Sequence, residues 1–439
     1  MVRFRFIIVC LAVLIAVPQI AAASATPPSP VPAVLNLTDA ENVALARSPA
    51  LALARAAVGQ AQSSADLALS AALPNLSGQA SSTYSKGGFR GTSGTTQTTN
   101  GFTSNDASVN LRQLVFDGGH VRAQVLSARY STDAARLLLT RQIQTVFFTV
   151  AQDYYTALQA RHQLITANDS LKLAKTQYNL VEAQFRAGAA SRADVLTAQL
   201  PVAQALLAVA QAANGEKSQI AVLLNSMGVP SDTAVSLVDD NSVGAAAPPA
   251  QDIMTIAQTM RPDLLAARAL LNSAQQSVRA ARLQRFPTIV GTANDGPTSI
   301  SPSGGTYANS RSVGVSLSVP IFDGGAIRAQ TEAALAQQDS AQANFDSAAL
   351  GVSQTVEQAV LGLSTAQSGL SAATAELSQA RTVLDVTNAQ YKAGVTTLPL
   401  LLNAQVGLTK AETDYVVAVY AYKIAQQQLK FAEGTFGSP

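Results

Sequence analysis

The chain has 439 residues, a formal net charge of +2 and 13% charged side chains, which excludes the concentrated basic surface that nucleic acid requires. Aromatic content is 5% with no tryptophan, which argues against a conventional aromatic-rich core. The single cysteine, Cys10, excludes an intrachain disulfide or a metal site built from several cysteines.

Met1-Val2-Arg3-Phe4-Arg5 precedes an apolar run from Phe6 to Val17 and then Ala21-Ala22-Ala23-Ser24-Ala25. A charged start, an apolar stretch and small residues at a cleavage point predict a secretory signal peptide over 1–23 that carries Cys10 away. The mature chain is therefore expected to be exported. No later segment offers the roughly 18 uninterrupted apolar residues of a transmembrane helix.

Ser24 to Pro32 reads as an extended leader. Thr38 and Glu41 then form a capping-box pattern that predicts a short helix. Ser48-Pro49 predicts a restart, with Ser48 as N-cap, running to about Leu73 ahead of Pro74. Residues 75–116 read as a β-hairpin, because Ala107, Val109 and Leu111 alternate with Ser108, Asn110 and Arg112 beside a polar tip from Gly87 to Asn105. Within that tip Gly87-Gly88-Phe89-Arg90-Gly91 has no following helix signal, so it reads as loop and not as a phosphate cradle.

Phe116-Asp117-Gly118-Gly119 opens a proline-free stretch rich in Ala, Gln, Leu, Arg and Ser. The spacing predicts one helix over 119–187, about 69 residues and roughly 100 Å long. It ends at Gln184-Phe185-Arg186-Ala187-Gly188, after which a return helix runs to about Met227. Residues 229–250, with Pro230, Gly244 and Pro248-Pro249, read as a linker.

The rest of the chain repeats this plan, with 24–228 as one repeat, 251–433 as the other and 434–439 as a tail. A short helix from Asp252, a restart at Arg261-Pro262 and a stop before Pro287 lie 213 residues after their counterparts, as 262 less 49 and 287 less 74 give. Phe322-Asp323-Gly324-Gly325 and Gln390-Tyr391-Lys392-Ala393-Gly394 lie 206 after theirs, as 322 less 116 and 390 less 184 give. The seven-residue change falls in the second hairpin, 288–321, whose tip spans Asn294 to Arg311 and whose Val313, Val315, Leu317 and Val319 alternate with small polar residues. The second long helix is predicted over 325–393. Its constant offset from the first marks a rod whose length is fixed.

An apolar face opposite a small polar face suits an outer-membrane barrel strand, and suits equally a hairpin on a soluble core. Four strands cannot close a barrel, and open edges cannot sit in lipid, so the chain is expected to form a dimer of eight strands or a trimer of twelve. The predicted fold is mainly α with β: a long coiled-coil helical barrel joined to a transmembrane β-barrel. The competing reading is a secreted helical filament subunit. His120 and His162 stand far apart on one rod and read as satisfied histidines. No catalytic constellation, metal site or cofactor is expected.

The doubled layout, the two Phe-Asp-Gly-Gly boxes, and the paired turns followed by Asp194-Val195-Leu196-Thr197-Ala198-Gln199 and Leu401-Leu402-Asn403-Ala404-Gln405 resemble the TolC-type outer-membrane efflux family. The resemblance implies a homotrimer in outer-membrane lipid with a periplasmic helical tunnel. It implies docking to a periplasmic adaptor (membrane-fusion) protein and an inner-membrane pump of the RND or ABC type, so that the chain is the exit duct of a tripartite efflux or type I secretion system. The family closes its periplasmic end near the second glycine turn, often with acidic rings, where this chain has Leu400 and Asn403. An apolar constriction from Leu398, Leu400 and Leu402 beside Asn403 is therefore implied, with Asp194 and Tyr391 as a latch weakened by Thr396 at the basic partner's place. Gly188, Ser191, Gly394, Thr396 and Thr397 are the implied adaptor contacts. Read locally, Ser191-x-x-Asp194 is equally a capping box, the leucines equally coiled-coil packing, and the glycine segments plain turns.

Overall fold

Proline sets the first helix boundaries. The computed structural model describes residues 32–436 apart from 87, 91–95, 99–100, 240–249 and 302–306, so the expected signal peptide with Cys10, most of the leader, part of the linker and the last three residues lie outside the described residues. β1 (Val34–Leu35) leads into α1 (Leu37–Arg47), and Pro49 opens α2 (Pro49–Ser70) with Ser48 as N-cap. The cap of α1 is Asn36 and not Thr38: its side-chain oxygen accepts from the Asp39 amide at 2.7 Å. Asn is as good a cap as Thr, and its position two residues earlier starts the helix sooner. α2 stops at Ser70, short of Leu73.

β2 (Asn75–Ser85) and β5 (Phe102–Phe116) form the first hairpin, with a small antiparallel ribbon, β3 (Gly88–Arg90) and β4 (Thr96–Thr98), inside its tip. α3 (His120–Arg186) and α4 (Arg192–Ser226) follow, then β6 (Ser236–Leu237). The second half runs α5 (Ala250–Met260), α6 (Pro262–Leu283), β7 (Thr288–Ser301), β8 (Tyr307–Ser318), α7 (Ala326–Lys392) and α8 (Leu398–Glu433). Both long helices have 67 residues and start 206 apart, 326 less 120. At 1.5 Å per residue each is about 100 Å long.

The hairpins join as one antiparallel sheet, β2-β5-β7-β8, whose two edges have no partner strand within the described residues. Strand pairing reaches Ser85↔Phe102 and Thr103↔Ser301, so the tips are shorter than the polar sequence suggests. Polar side chains do not end these strands, because a sheet facing water on one side accepts them.

Two cores are built from register-equivalent residues. In the first, Leu51, Val146, Val150 and Leu223 pack together, all 7% exposed or less. In the second, Leu264, Val352, Val356 and Leu429 do so, at 7% or less. The spacing is again 213 for the first pair and 206 for the others, so the duplication extends to side-chain packing. At the first core, β6 pairs in parallel with β1, with Leu35 and Leu237 buried in it, and ties the linker to the start of the first repeat, an element that two-residue strands give no periodicity to reveal. α4 is long and apolar enough to cross a membrane by length and composition, although it offers no uninterrupted apolar run of about 18 residues. Gln199, Gln204 and Gln211 interrupt its apolar run, and it packs along α3.

The strand-to-helix junction yields a prediction. Gly118 and Gly324 have φ of +67 and +65, a left-handed conformation that costs a side-chain-bearing residue about 1–2 kcal/mol. A Cβ at Gly118 would lie 2.5 Å from Phe286 Cβ, whereas at Gly324 it would meet nothing within 4 Å. Gly118→Ala is therefore expected to lower the denaturation midpoint more than Gly324→Ala. Equal losses would mean that Phe286 moves away freely.

Candidate functional site

The Phe-Asp-Gly-Gly box turns the chain from sheet to rod. Asp117 accepts from the Gly119 amide at 2.8 Å and the Val121 amide at 2.6 Å. Asp323 accepts from Gly325 at 3.0 Å and Ile327 at 2.7 Å. Each carboxylate thus satisfies otherwise orphan amides of the first helical turn and opposes the positive end of the helix dipole. The amides of Ile327 and Gly325 hold the Asp323 carboxyl below the usual range.

Register divides the sheet into two faces. One row joins Leu76, Leu111, Ala293 and Val313, and with Val109, Val315 and Leu317 it forms an exposed apolar face. The adjacent row joins Asn75, Arg112, Thr292 and Gly314, and the next Ser77, Asn110, Asn294 and Ser312, with Asn294 donating to Asn110 Oδ1 at 2.6 Å. Arg311 Nε bonds Asp295 Oδ1 at 3.1 Å on the apolar side, just beyond Val313. Below, Val319 continues the apolar run, and Ile321 and Phe322 are 94% and 91% exposed. The apolar run therefore covers residues 313–321: β8 supplies 313–318, about 13 Å of height for a strand tilted by roughly 40°, and Val319 and Ile321 extend it below the strand toward the lipid-facing height of an outer-membrane barrel.

At the far end of the rods the two turns match. Gly188 (φ +76) and Gly394 (φ +74) end α3 and α7, and the Ala189 and Val395 amides reach back to Gln184 O at 2.8 Å and Gln390 O at 2.9 Å, a Schellman closure. Ser191 and Asp194 form a reciprocal capping box at the start of α4. The Ser191 hydroxyl, then its backbone amide, hold the Asp194 carboxyl below the usual range. The Tyr391 hydroxyl donates to Gln184 Oε1 at 3.0 Å, bridging α7 and α3, while Asp194 is spent on its cap. Burial and then the Asp194 charge raise the Tyr391 hydroxyl.

Leu398 is 4% exposed and packs with Val181 and Ala198, with Leu402 partly buried against the same cluster. Leu400 is 52% exposed and Asn403 is exposed. Gly188, Ser191, Gly394 and Thr397 are exposed at the turns, and Thr396 is half-buried. The buried Val181 was missed because, on the long rod, its neighbours differ little from those of other apolar positions.

Two polar networks at the middle of the rods were also missed. Arg261 donates to Asp263 through Nε at 3.0 Å and Nη2 at 2.5 Å, and to Thr355 Oγ1 at 2.7 Å. Arg141 lies 3.7 Å from the same carboxylate and donates to Phe431 O at 3.1 Å. His162 meets Asp239 at 2.8 Å, as do the Tyr420 hydroxyl at 3.0 Å and Lys423 at 3.7 Å. His162 is thus satisfied by a carboxylate, and His120 Nδ1 meets Ala280 O at 2.8 Å. Among the described residues, no group of His, Cys, Asp and Glu could hold a metal.

A sheet with one apolar face and edges open among the described residues, standing on duplicated helical rods about 100 Å long, defines a component of a membrane duct. The profile of the family described as outer membrane efflux protein matches residues 41–229 and 254–435. The chain belongs to that family, and its sheet lies in the outer membrane with the helical part in the periplasm. It is 29% identical to Protein CyaE of Bordetella pertussis over 92% of this chain and 85% of that protein. Over 83% of this chain and 75% of the relative it is 27% identical to the outer membrane protein TolC of Escherichia coli. Its fold is similar to that of the outer membrane protein VceC from Vibrio cholerae, with a TM-score of 0.78 at 21% identity over 91% of this chain and 96% of that one.

Proposed function

We propose that three copies of this chain close a twelve-stranded barrel and serve as the exit duct of a tripartite efflux or secretion system, with 24–228 and 251–433 as the two halves of each subunit. The observation that carries the reading is the four-stranded sheet with an apolar face, whose outer edges at β2 and β8 have no partner among the described residues. Such edges must pair between chains in lipid. Two chains would give eight strands and an interior filled by side chains, whereas twelve leave room for an aqueous channel. α4 supports assembly as well: Leu196, Leu200, Leu206 and Leu207 are 51–60% exposed, a surface suited to a neighbouring rod. Transport draws its energy from the pump, and an adaptor docks at the exposed turns around Gly188, Ser191, Gly394 and Thr397.

Within this reading the periplasmic constriction is formed by Leu400, with Asn403 beside it. Leu398 and Leu402 back it by packing the tip, and the Tyr391–Gln184 hydrogen bond holds α7 against α3. The test is single-channel conductance in a planar bilayer. The wild type is expected to give small steps and Leu400→Ala larger ones. Because Leu400 is exposed, the substitution should move stability by less than about 0.5 kcal/mol. An inserted protein whose steps are unchanged in the variant removes Leu400 from the constriction. A monomeric mass in detergent together with no conductance removes the duct.

A further inference from the structure

The face of the sheet opposite the apolar band is lined by Ser, Thr, Asn and Gln, and among its described residues on the four strands only Asp106 and Arg112 are ionisable. They sit on one strand, six residues apart, hence about 20 Å along it. The Asp106 carboxylate is held from two sides, accepting from the Ser104 hydroxyl at 3.1 Å and from the Thr298 hydroxyl across the strand pair. Its row, Ser81–Asp106–Thr298–Ala308, lies on the tip side of the Asp295–Arg311 ion pair that bounds the apolar band. Arg112 is exposed, level with the apolar band, in the row next to Leu111.

We propose that Asp106 and Arg112 determine the charge selectivity of the barrel segment, as an outer acidic ring and an inner basic ring of opposite effect. The inference rests on the trimeric duct: three copies place three carboxylates at one level and three guanidinium groups at another. Twelve strands at about 4.8 Å spacing and roughly 40° tilt give a backbone radius of about 12 Å. Both side chains project inward from that radius, so their charges stand within about one Debye length, roughly 10 Å at 0.1 M salt, of the axis and their field reaches it. Rings of charged side chains set ion preference in this manner, and two of opposite sign largely cancel.

The experiment is the reversal potential across a salt gradient for the wild type, Asp106→Asn, Arg112→Gln and the double variant. Asp106→Asn is expected to shift the cation-to-anion permeability ratio about threefold toward anions near 0.1 M salt, and Arg112→Gln about threefold toward cations. The double variant should return near the wild type, and all shifts should grow at lower salt. Conducting channels whose ratio moves in neither single variant overturn the proposal and leave the duct intact. A second readout needs no open gate: Ser81→Cys, in the Asp106 row, is labelled from outside intact cells with a cationic and an anionic methanethiosulfonate. Asp106→Asn should lower the cationic-to-anionic rate ratio by about threefold. An unchanged ratio, or no labelling by either reagent, overturns the assignment of this face to the lumen and with it the proposal.

Discussion

Asp263→Ala is expected to cost about 3–5 kcal/mol, because it removes the one carboxylate shared by two buried cations. The Arg261 side chain is 5% exposed and the Arg141 side chain 15%. Burial lowers Arg141 to about 10, with the charge of Asp263 supporting its protonated form and that of Arg261 opposing it. Without the carboxylate the two guanidinium groups face each other across a desolvated space. The loss should spread to the end of α8, since Arg141 holds Phe431 O and its ring, Arg261 holds Ala432 O and Gln144 holds Gly434 O. Guanidinium denaturation followed by the helical circular dichroism signal measures the cost, and amide exchange over 429–436 locates it. Replacing all three charged residues by apolar ones of similar volume should recover most of the loss, as such clusters contribute less than their disruption suggests. A loss below about 1 kcal/mol for Asp263→Ala would mean that water enters and screens the pair.

The same network fixes a pH dependence. Burial pushes the Asp263 carboxyl up, but the Arg261 hydrogen bond, the charges of Arg141 and Arg261 and the Leu264 amide together outweigh it, so its net position is below the usual range. A carboxyl depressed in the folded state contributes stability that is complete above its unfolded value of about 4 and lost as the pH falls through the folded value. Acid sensitivity on that flank should therefore be flatter in Asp263→Asn than in the wild type.

The duplication was legible in the sequence because it lies in spacing. An offset of 206 held from Phe-Asp-Gly-Gly to the glycine turn could arise only if both rods had one length, and it proved to govern the packing of Val150 and Val356 as well. The strands were legible through the alternation of Val313, Val315 and Leu317, since a period of two survives when only one face is apolar. What escaped was set by contacts between segments distant in sequence. Arg141 meets Phe431 across 290 residues, and Asp239 in the linker meets Tyr420 across 181. Arg261 also departs from its counterpart Ser48, so comparing the two copies marks it as unusual without supplying its partner. At the tip, sequence spacing could not separate Leu398 from Leu400. Two residues on a helix differ by about 200° in direction, and only the position of Val181 and Ala198 decides which one is buried.

Val315→Arg is expected to abolish outer-membrane insertion, whereas Ser316→Arg, one residue along the same strand, inserts. Val315 is 75% exposed on the apolar face between Val313 and Leu317, and successive residues of a strand point to opposite sides. An arginine there meets hydrocarbon near mid-band, at about 2–4 kcal/mol per chain, falling to about 0–1 near the interface. In the proposed trimer three chains multiply the cost, so the expected result is unassembled protein in the periplasm. Ser316 belongs to the polar face, where an arginine meets water in the lumen and changes conductance instead. Asn309→Arg supplies the depth control, since Asn309 is on the apolar side but beyond the Asp295–Arg311 pair, where the cost should be small. Membrane fractionation of the three variants decides the matter. Equal loss in Val315→Arg and Ser316→Arg would mean that both faces are packed against protein, as in a soluble sheet. A loss confined to Ser316→Arg would reverse the two faces and carry Asp106 and Arg112 to the lipid side.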